Sequence, residues 1–119
     1  MYLHLMVDII LIFNMVNTRE KGRRIELEAK KLLIKDGYLV EKKNASRWQS
    51  DDFWELFDLF AMKSNDFKLI QIKSNISDFY KARKEINEWL IEHNISGMSF
   101  EIWLKEPRKK WRKEILSKK

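Results

Sequence analysis

The chain has 119 residues, 45% of them hydrophobic, 13% aromatic and 35% charged, which is enough for one compact domain with its own core and too little for two ordinary ones. It contains no cysteine, and its two histidines, His4 and His93, show no ligand spacing; disulfides, thiolate metal sites and a cysteine nucleophile are excluded, and any metal is expected on oxygen ligands, as suits magnesium or manganese. The formal charge of +6 sits at one end, because residues 105–119 carry eight basic residues against Glu106 and Glu114, leaving 16 basic and 16 acidic in the other 104. A basic end on a neutral body is what a phosphate-contacting surface looks like, although a solvated charge run has the same composition.

Residues 1–16 are strongly apolar, interrupted by His4, Asp8 and Asn14. The stretch is short of the roughly 20 apolar residues of a spanning helix and lacks the basic start and small-residue cleavage site of a secretory signal. Residues 1–17 are therefore read as an apolar N-terminal extension: a buried or dimer-forming segment, an interfacial anchor, or an addition to an older domain. Stable membrane insertion is not expected, and the expected location is the cytoplasm.

A helix is predicted from Thr18 to Asp36, with Asn17 or Thr18 as its N-cap and Gly37 as a left-handed stop. Its apolar stripe is Ile25, Ala29, Leu32 and Leu33. Glu26 lies beside that stripe, whereas Glu28 has Arg24, Lys31 and Lys35 at helical neighbour spacing and reads as a solvated ion-pairing residue.

Tyr38–Glu41 is a first strand, followed by a polar loop over residues 43–52 that holds Ser46, Arg47 and Trp48. Glu55–Met62 and Phe67–Lys73 are two further strands joined by a Ser64-Asn65-Asp66 turn. The first of these is apolar on both sides, so it should be interior, with Asp58 buried or half-buried. A turn centred on Ser64-Asn65 puts Asp58 opposite Gln71, and one centred on Asn65-Asp66 puts it opposite Lys73. Side chains alternate along a strand, so Gln71 and Lys73 share a face in both registers, and all three residues converge.

Ser77–His93 is a second helix, capped by Ser77 and Asp78, with Phe79, Ala82, Ile86, Trp89 and Leu90 as its stripe. Met98–Leu104 alternates as a core strand. Glu106-Pro107 turns the chain, and Lys110–Leu116 is either an edge strand or a terminal helix. The order is α-β-β-β-α-β with a basic tail.

An Asp and a Gln-x-Lys in an otherwise apolar strand pair are costly unless they bind something. Hydrolysis of a phosphodiester needs a water near phosphorus and positive charge for the transition state, and a hard cation supplies both. Asp58, the side-chain oxygen of Gln71 and the backbone carbonyl of Ile72 could hold such a cation, with Glu26 approaching from the helix; Lys73 would orient or deprotonate the attacking water and donate to the phosphate. A half-buried Asp58–Lys73 ion pair is the structural alternative.

Gly22-Arg23-Arg24-Ile25-Glu26, Phe57-Asp58 and Gln71-Ile72-Lys73, in that order on a helix and two strands, resemble the PD-(D/E)XK nuclease superfamily, and especially its small archaeal Holliday junction resolvase-like branch. The resemblance covers residues 18–104. It implies a restriction-endonuclease-like α/β core with a mixed central sheet flanked by helices, magnesium- or manganese-dependent cleavage of branched or otherwise structured DNA, and a homodimer. It also places the catalytic roles on Glu26, Asp58, Gln71 and Lys73, with Ser46 as the serine of the loop after the first strand. Phe57 stands where the motif has proline, and Gln71 where it has a second acid, which removes one negative charge from the metal shell. Arg23, Arg24, Arg47, Lys63, Arg108, Lys109, Lys110 and Arg112 are candidate phosphate contacts, with Trp48 and Trp111 as stacking candidates. Two other readings stay open: a non-catalytic DNA-binding module on the same fold, and a membrane-associated or oligomerising protein that uses residues 1–17.

Overall fold

A computed structural model describes residues 2–42, 53–54 and 56–118, with the backbone alone at 2–18 and 117–118. The elements run α1 (Tyr2–Lys35), β1 (Leu39–Lys42), β2 (Leu59–Lys63), β3 (Asp66–Lys73), α2 (Ile76–Glu92), β4 (Ser99–Leu104) and β5 (Arg112–Lys118). The sheet order is β1-β2-β3-β4-β5, antiparallel except for the parallel β3–β4 pair. This is the mixed, helix-flanked α/β arrangement expected from the sequence, and the basic C-terminal stretch completes it as an edge strand.

The first helix is longer than predicted. It is continuous from Tyr2, so neither Asn17 nor Thr18 begins it: the apolar run before them contains no glycine or proline to break the hydrogen-bond ladder. Its end is as expected. Gly37 takes φ 94°, and the Tyr38 and Gly37 amides return to the Leu33 and Ile34 carbonyls, both at 3.0 Å, which closes the last turn.

Strand alternation sends successive side chains to opposite layers. One layer joins Ile25, Ala29 and Leu33 of α1 to Tyr38, Val40, Leu59, Ala61, Ile70, Ile72 and Trp103. Leu32, 100° round the helix from Leu33, is only partly covered. The other layer joins Phe79, Ala82 and Ile86 of α2 to Phe57, Leu69, Phe100, Ile102 and Leu104. Side chains such as Ile70, Phe79 and Phe100 are fully buried, each worth roughly 1.5–3 kcal/mol.

The strand predicted over Glu55–Met62 begins only at Leu59. Phe53 and Phe57 bridge each other around Trp54, whose φ is 52°, and the chain bends at Asp58. Phe57 thereby leaves the layer of Leu59 and Ala61 and packs edge-on to Trp89 (5.7 Å) and against Phe100 (5.8 Å). Three aromatic rings at this spacing outweigh strict alternation.

The cap of α2 also differs. Asn75 Oδ1 accepts from the Asp78 amide and the Ser77 hydroxyl, both at 2.9 Å, so Asn75 is the N-cap and Ser77 and Asp78 lie inside the first turn. Among the described residues no helix is long and apolar enough to cross a membrane.

Candidate active site

Leu59 faces Ile70 and Lys63 faces Asp66, the register of a turn centred on Ser64-Asn65. Continued past the start of β2, it sets Asp58 beside Gln71. The Asp58 amide donates to the Ile70 carbonyl (2.9 Å), and its Oδ2 accepts from the Ile72 amide (2.7 Å). Both Asp58 and Gln71 are 7% exposed. The neighbours of Gln71 settle which way its amide faces: Nε2 donates to Asp58 Oδ2 (3.0 Å) and to the Leu56 carbonyl (2.7 Å), and Oε1 accepts from Lys73 Nζ (3.2 Å). Asp58, Gln71 and Lys73 therefore form one hydrogen-bonded row. The N–H and C=O of a strand residue point the same way, so the Ile72 carbonyl opens on the Asp58 side as its amide does.

Lys73 shares a cleft of about 180 Å³ with Gly22, Ile25 and Glu26 of α1, and with Ser74 and Asp78 before and within α2. Glu26 reaches this cleft but spends its carboxylate on Lys42, 2.5 Å away. On its other side lies a second cleft, about 370 Å³, lined by Arg19, Gly22, Arg23, Glu26 and Lys42. Three cations around one acid give that cleft a positive balance suited to an anion.

Among the described residues no three acidic or histidine side chains converge. The oxygens at hand are the Asp58 carboxylate and the Ile72 carbonyl, with the Gln71 amide oxygen turned to Lys73. In kind this set fits a hard divalent cation that keeps several waters, but with a single negative charge it is a weak set.

The β4–β5 turn stands at the same end of the sheet, since the Lys105 amide donates to the Lys73 carbonyl (3.0 Å). Arg108, at φ 62°, and Lys109 and Lys110 are exposed on this turn, and Lys109 lies 3.6 Å from Glu106. Arg112 stacks 4.8 Å from the Phe79 ring and Arg83 4.8 Å from the Tyr80 ring, while both hold Glu114, at 3.6 and 3.0 Å. Trp111 is half-buried against Trp103 and donates to Glu28 Oε1 (3.1 Å). It anchors the hairpin to α1, and Glu28 serves it instead of the helix cations predicted for it.

The remaining expected contacts are scattered. Arg23 lines the second cleft and Arg24 is exposed on α1. Lys63 lies at the far end of β2, about 17 Å along the strand from Asp58, where it donates to the Asp36 carbonyl (2.9 Å) and covers the Tyr38 ring. Ser46, Arg47 and Trp48 lie outside the described residues. The sequence reading missed Arg19, Lys42 and Arg83. Only Arg83 carried a signal, its spacing of three from Tyr80 on one helix face; the others depend on how β1 docks on α1.

A second buried acid does not belong to this site. Glu101, 3% exposed, accepts from Ser99 Oγ (2.8 Å), Trp103 Nε1 (3.0 Å) and Lys68 Nζ (2.9 Å). Burial works against the Lys68 charge, but the Glu101 hydrogen bond and charge, with Tyr38 and Asp66 beside it, outweigh burial and hold its pKa above the ordinary value. Burial, and then the hydrogen bond to Asp66, raise that of Tyr38.

No family model matches the chain, and no curated protein matches it. Among solved structures it is similar to Hjc, a Holliday junction resolvase from the archaeal hyperthermophile Archaeoglobus fulgidus, with a TM-score of 0.52 and 20% identity over 80% of this chain and 77% of that one. The likeness establishes a shared fold, on which the Asp58, Gln71 and Lys73 row sits at one end of the central sheet.

Proposed function

We propose that the protein is a metal-dependent DNA endonuclease that hydrolyses phosphodiester bonds in branched DNA as a homodimer. The observation that carries this reading is the meeting of Asp58, Gln71 and Lys73 where β2 begins and β3 ends, with Lys73 at the cleft, on a fold shared with a Holliday junction resolvase.

Asp58, the Ile72 carbonyl and Gln71 would hold the cation, magnesium or manganese. When bound, it supplies positive charge to the transition state and makes a nearby water easier to ionise. Lys73 donates to a non-bridging phosphate oxygen and orients the attacking water from its side of the cleft. Glu26, which lies beside Lys42, accepts a hydrogen bond from that water. Arg23 and the exposed Arg108, Lys109 and Lys110 hold flanking phosphates, and Arg112 and Arg83 extend that track over Tyr80. Two chains related by a twofold axis would present two such sites to the two strands that must be cut at a four-way junction.

The test is cleavage of labelled four-way junction, flap and linear duplex DNA by the full chain in Mg²⁺, Mn²⁺ or EDTA. Nicking of the junction in either metal, with the duplex spared and EDTA silent, is the expected result. Binding that weakens steeply with salt but gives no cut in either metal would replace it with the non-catalytic DNA-binding reading, which the donor face that Gln71 turns toward Asp58 also favours.

A further inference from the structure

The polar row at the end of β3 needs no cation to be satisfied. Gln71 Nε2 donates hydrogen bonds to Asp58 Oδ2 and to the Leu56 carbonyl, and Oε1 accepts one from Lys73 Nζ. Among the described residues no buried side-chain nitrogen or oxygen lacks a partner. A carboxylate at position 71 would meet Asp58 as a like charge with both groups 7% exposed, and such a pair is stable only around a cation or a shared proton. The amide removes that repulsion and links Asp58 to Lys73 instead. It also turns N–H, not oxygen, toward the place a cation would take beside Asp58.

We infer that Gln71 is a latch that makes uptake of a divalent cation conditional on DNA: a backbone phosphate takes the Lys73 ammonium, releases the Gln71 oxygen, and adds the anionic ligand that this site lacks. Asp58 is the one carboxylate among those ligand oxygens, and Lys73 stands at the other end of the same row, so the set by itself has little hold on Mg²⁺ or Mn²⁺. With the phosphate present, Lys73 is engaged elsewhere and the amide can turn over. This rests on the proposed nuclease reading for its ligand, but its readouts do not involve cleavage.

The experiment titrates Mn²⁺, followed by electron paramagnetic resonance of the free ion, into full-length wild type and Gln71→Glu, each alone and with a junction oligonucleotide whose own uptake is subtracted. Melting in EDTA and in Mn²⁺ is measured alongside. Wild type should gain one site per chain on adding DNA, about tenfold or more tighter than alone, whereas Gln71→Glu should bind about tenfold tighter than wild type without DNA. Gln71→Glu should also melt lower than wild type in EDTA and recover in Mn²⁺. Gln71→Met, which has neither charge nor amide, should melt lower with no recovery in Mn²⁺, and it decides the matter if the glutamate variant does not fold. Equal Mn²⁺ affinity of wild type with and without DNA overturns the latch, and so does recovery of Gln71→Met in Mn²⁺. Absence of cleavage with these affinities intact removes the nuclease reading and leaves the latch standing, while a chain that binds no DNA overturns both.

Discussion

Asp58 has two tasks, because the Oδ2 atom that would face a cation also receives the Ile72 amide and the Gln71 side chain. Asp58→Asn keeps the shape and loses the charge; it should lower junction cleavage by about 100-fold or more while leaving DNA affinity within a few-fold, as comparison of single-turnover rates with binding titrations would show. Lys73→Ala should lower cleavage to a similar degree, and unchanged rates in both variants would place the chemistry elsewhere. At this scale the sequence was informative, since alternation gathers residues 58, 71 and 73 in either turn register. The amide orientation of Gln71 and the capture of Glu26 by Lys42 were not legible, because both depend on side-chain contacts between elements distant along the chain. Tyr38 and Lys68 give a pH signature unrelated to catalysis. Both have folded pKa values above their ordinary 10.0 and 10.5, so their contribution to stability is present below about pH 10 and is lost as pH rises through the folded values. Urea midpoints between pH 8 and about 11 should fall accordingly, and less steeply in Tyr38→Phe.

Elements follow the sequence where local chemistry decides them and depart from it where tertiary packing does. Gly37 ends α1 as read, and a side chain there meets both a φ of 94° and the Lys63 Cδ at 3.3 Å; Gly37→Ala should cost about 1–2 kcal/mol in equilibrium unfolding. The start of α2 was misplaced because Ser77 and Asp78 are themselves good capping residues, and only the hydrogen bonds of Asn75 decide among them. Asn75→Ala should cost about 1 kcal/mol, and a similar loss from Ser77→Ala in place of it would contradict this assignment. The late start of β2 was invisible for another reason. Both faces of residues 56–62 are apolar, so period alone cannot show that Phe57 crosses to the α2 layer to reach Trp89 and Phe100.

Across the whole molecule the net charge of +6 is partly held in structure, as Arg83 and Arg112 share Glu114 and Lys42 holds Glu26. Arg108, Lys109 and Lys110 stand exposed near the site, Lys109 with Glu106 at 3.6 Å. Replacing all three by Gln should lower the slope of log K against log salt for DNA binding by about 3; an unaltered slope would mean that phosphates never reach this turn. Composition alone showed the charge asymmetry but not its form. The basic segment is a sheet strand because Leu116 completes the α2 layer and Trp111 the α1 layer, a pairing that no local pattern announces.

The place of β5 at the margin of the sheet has a further consequence for how copies of this chain meet in solution. Its outer row of amides and carbonyls is a ready template for another strand, and the exposed Arg112 and Lys113 along it repel an identical neighbour. Concentrated salt screens that repulsion, so precipitation should be promoted by raising ionic strength and reversed by dialysis.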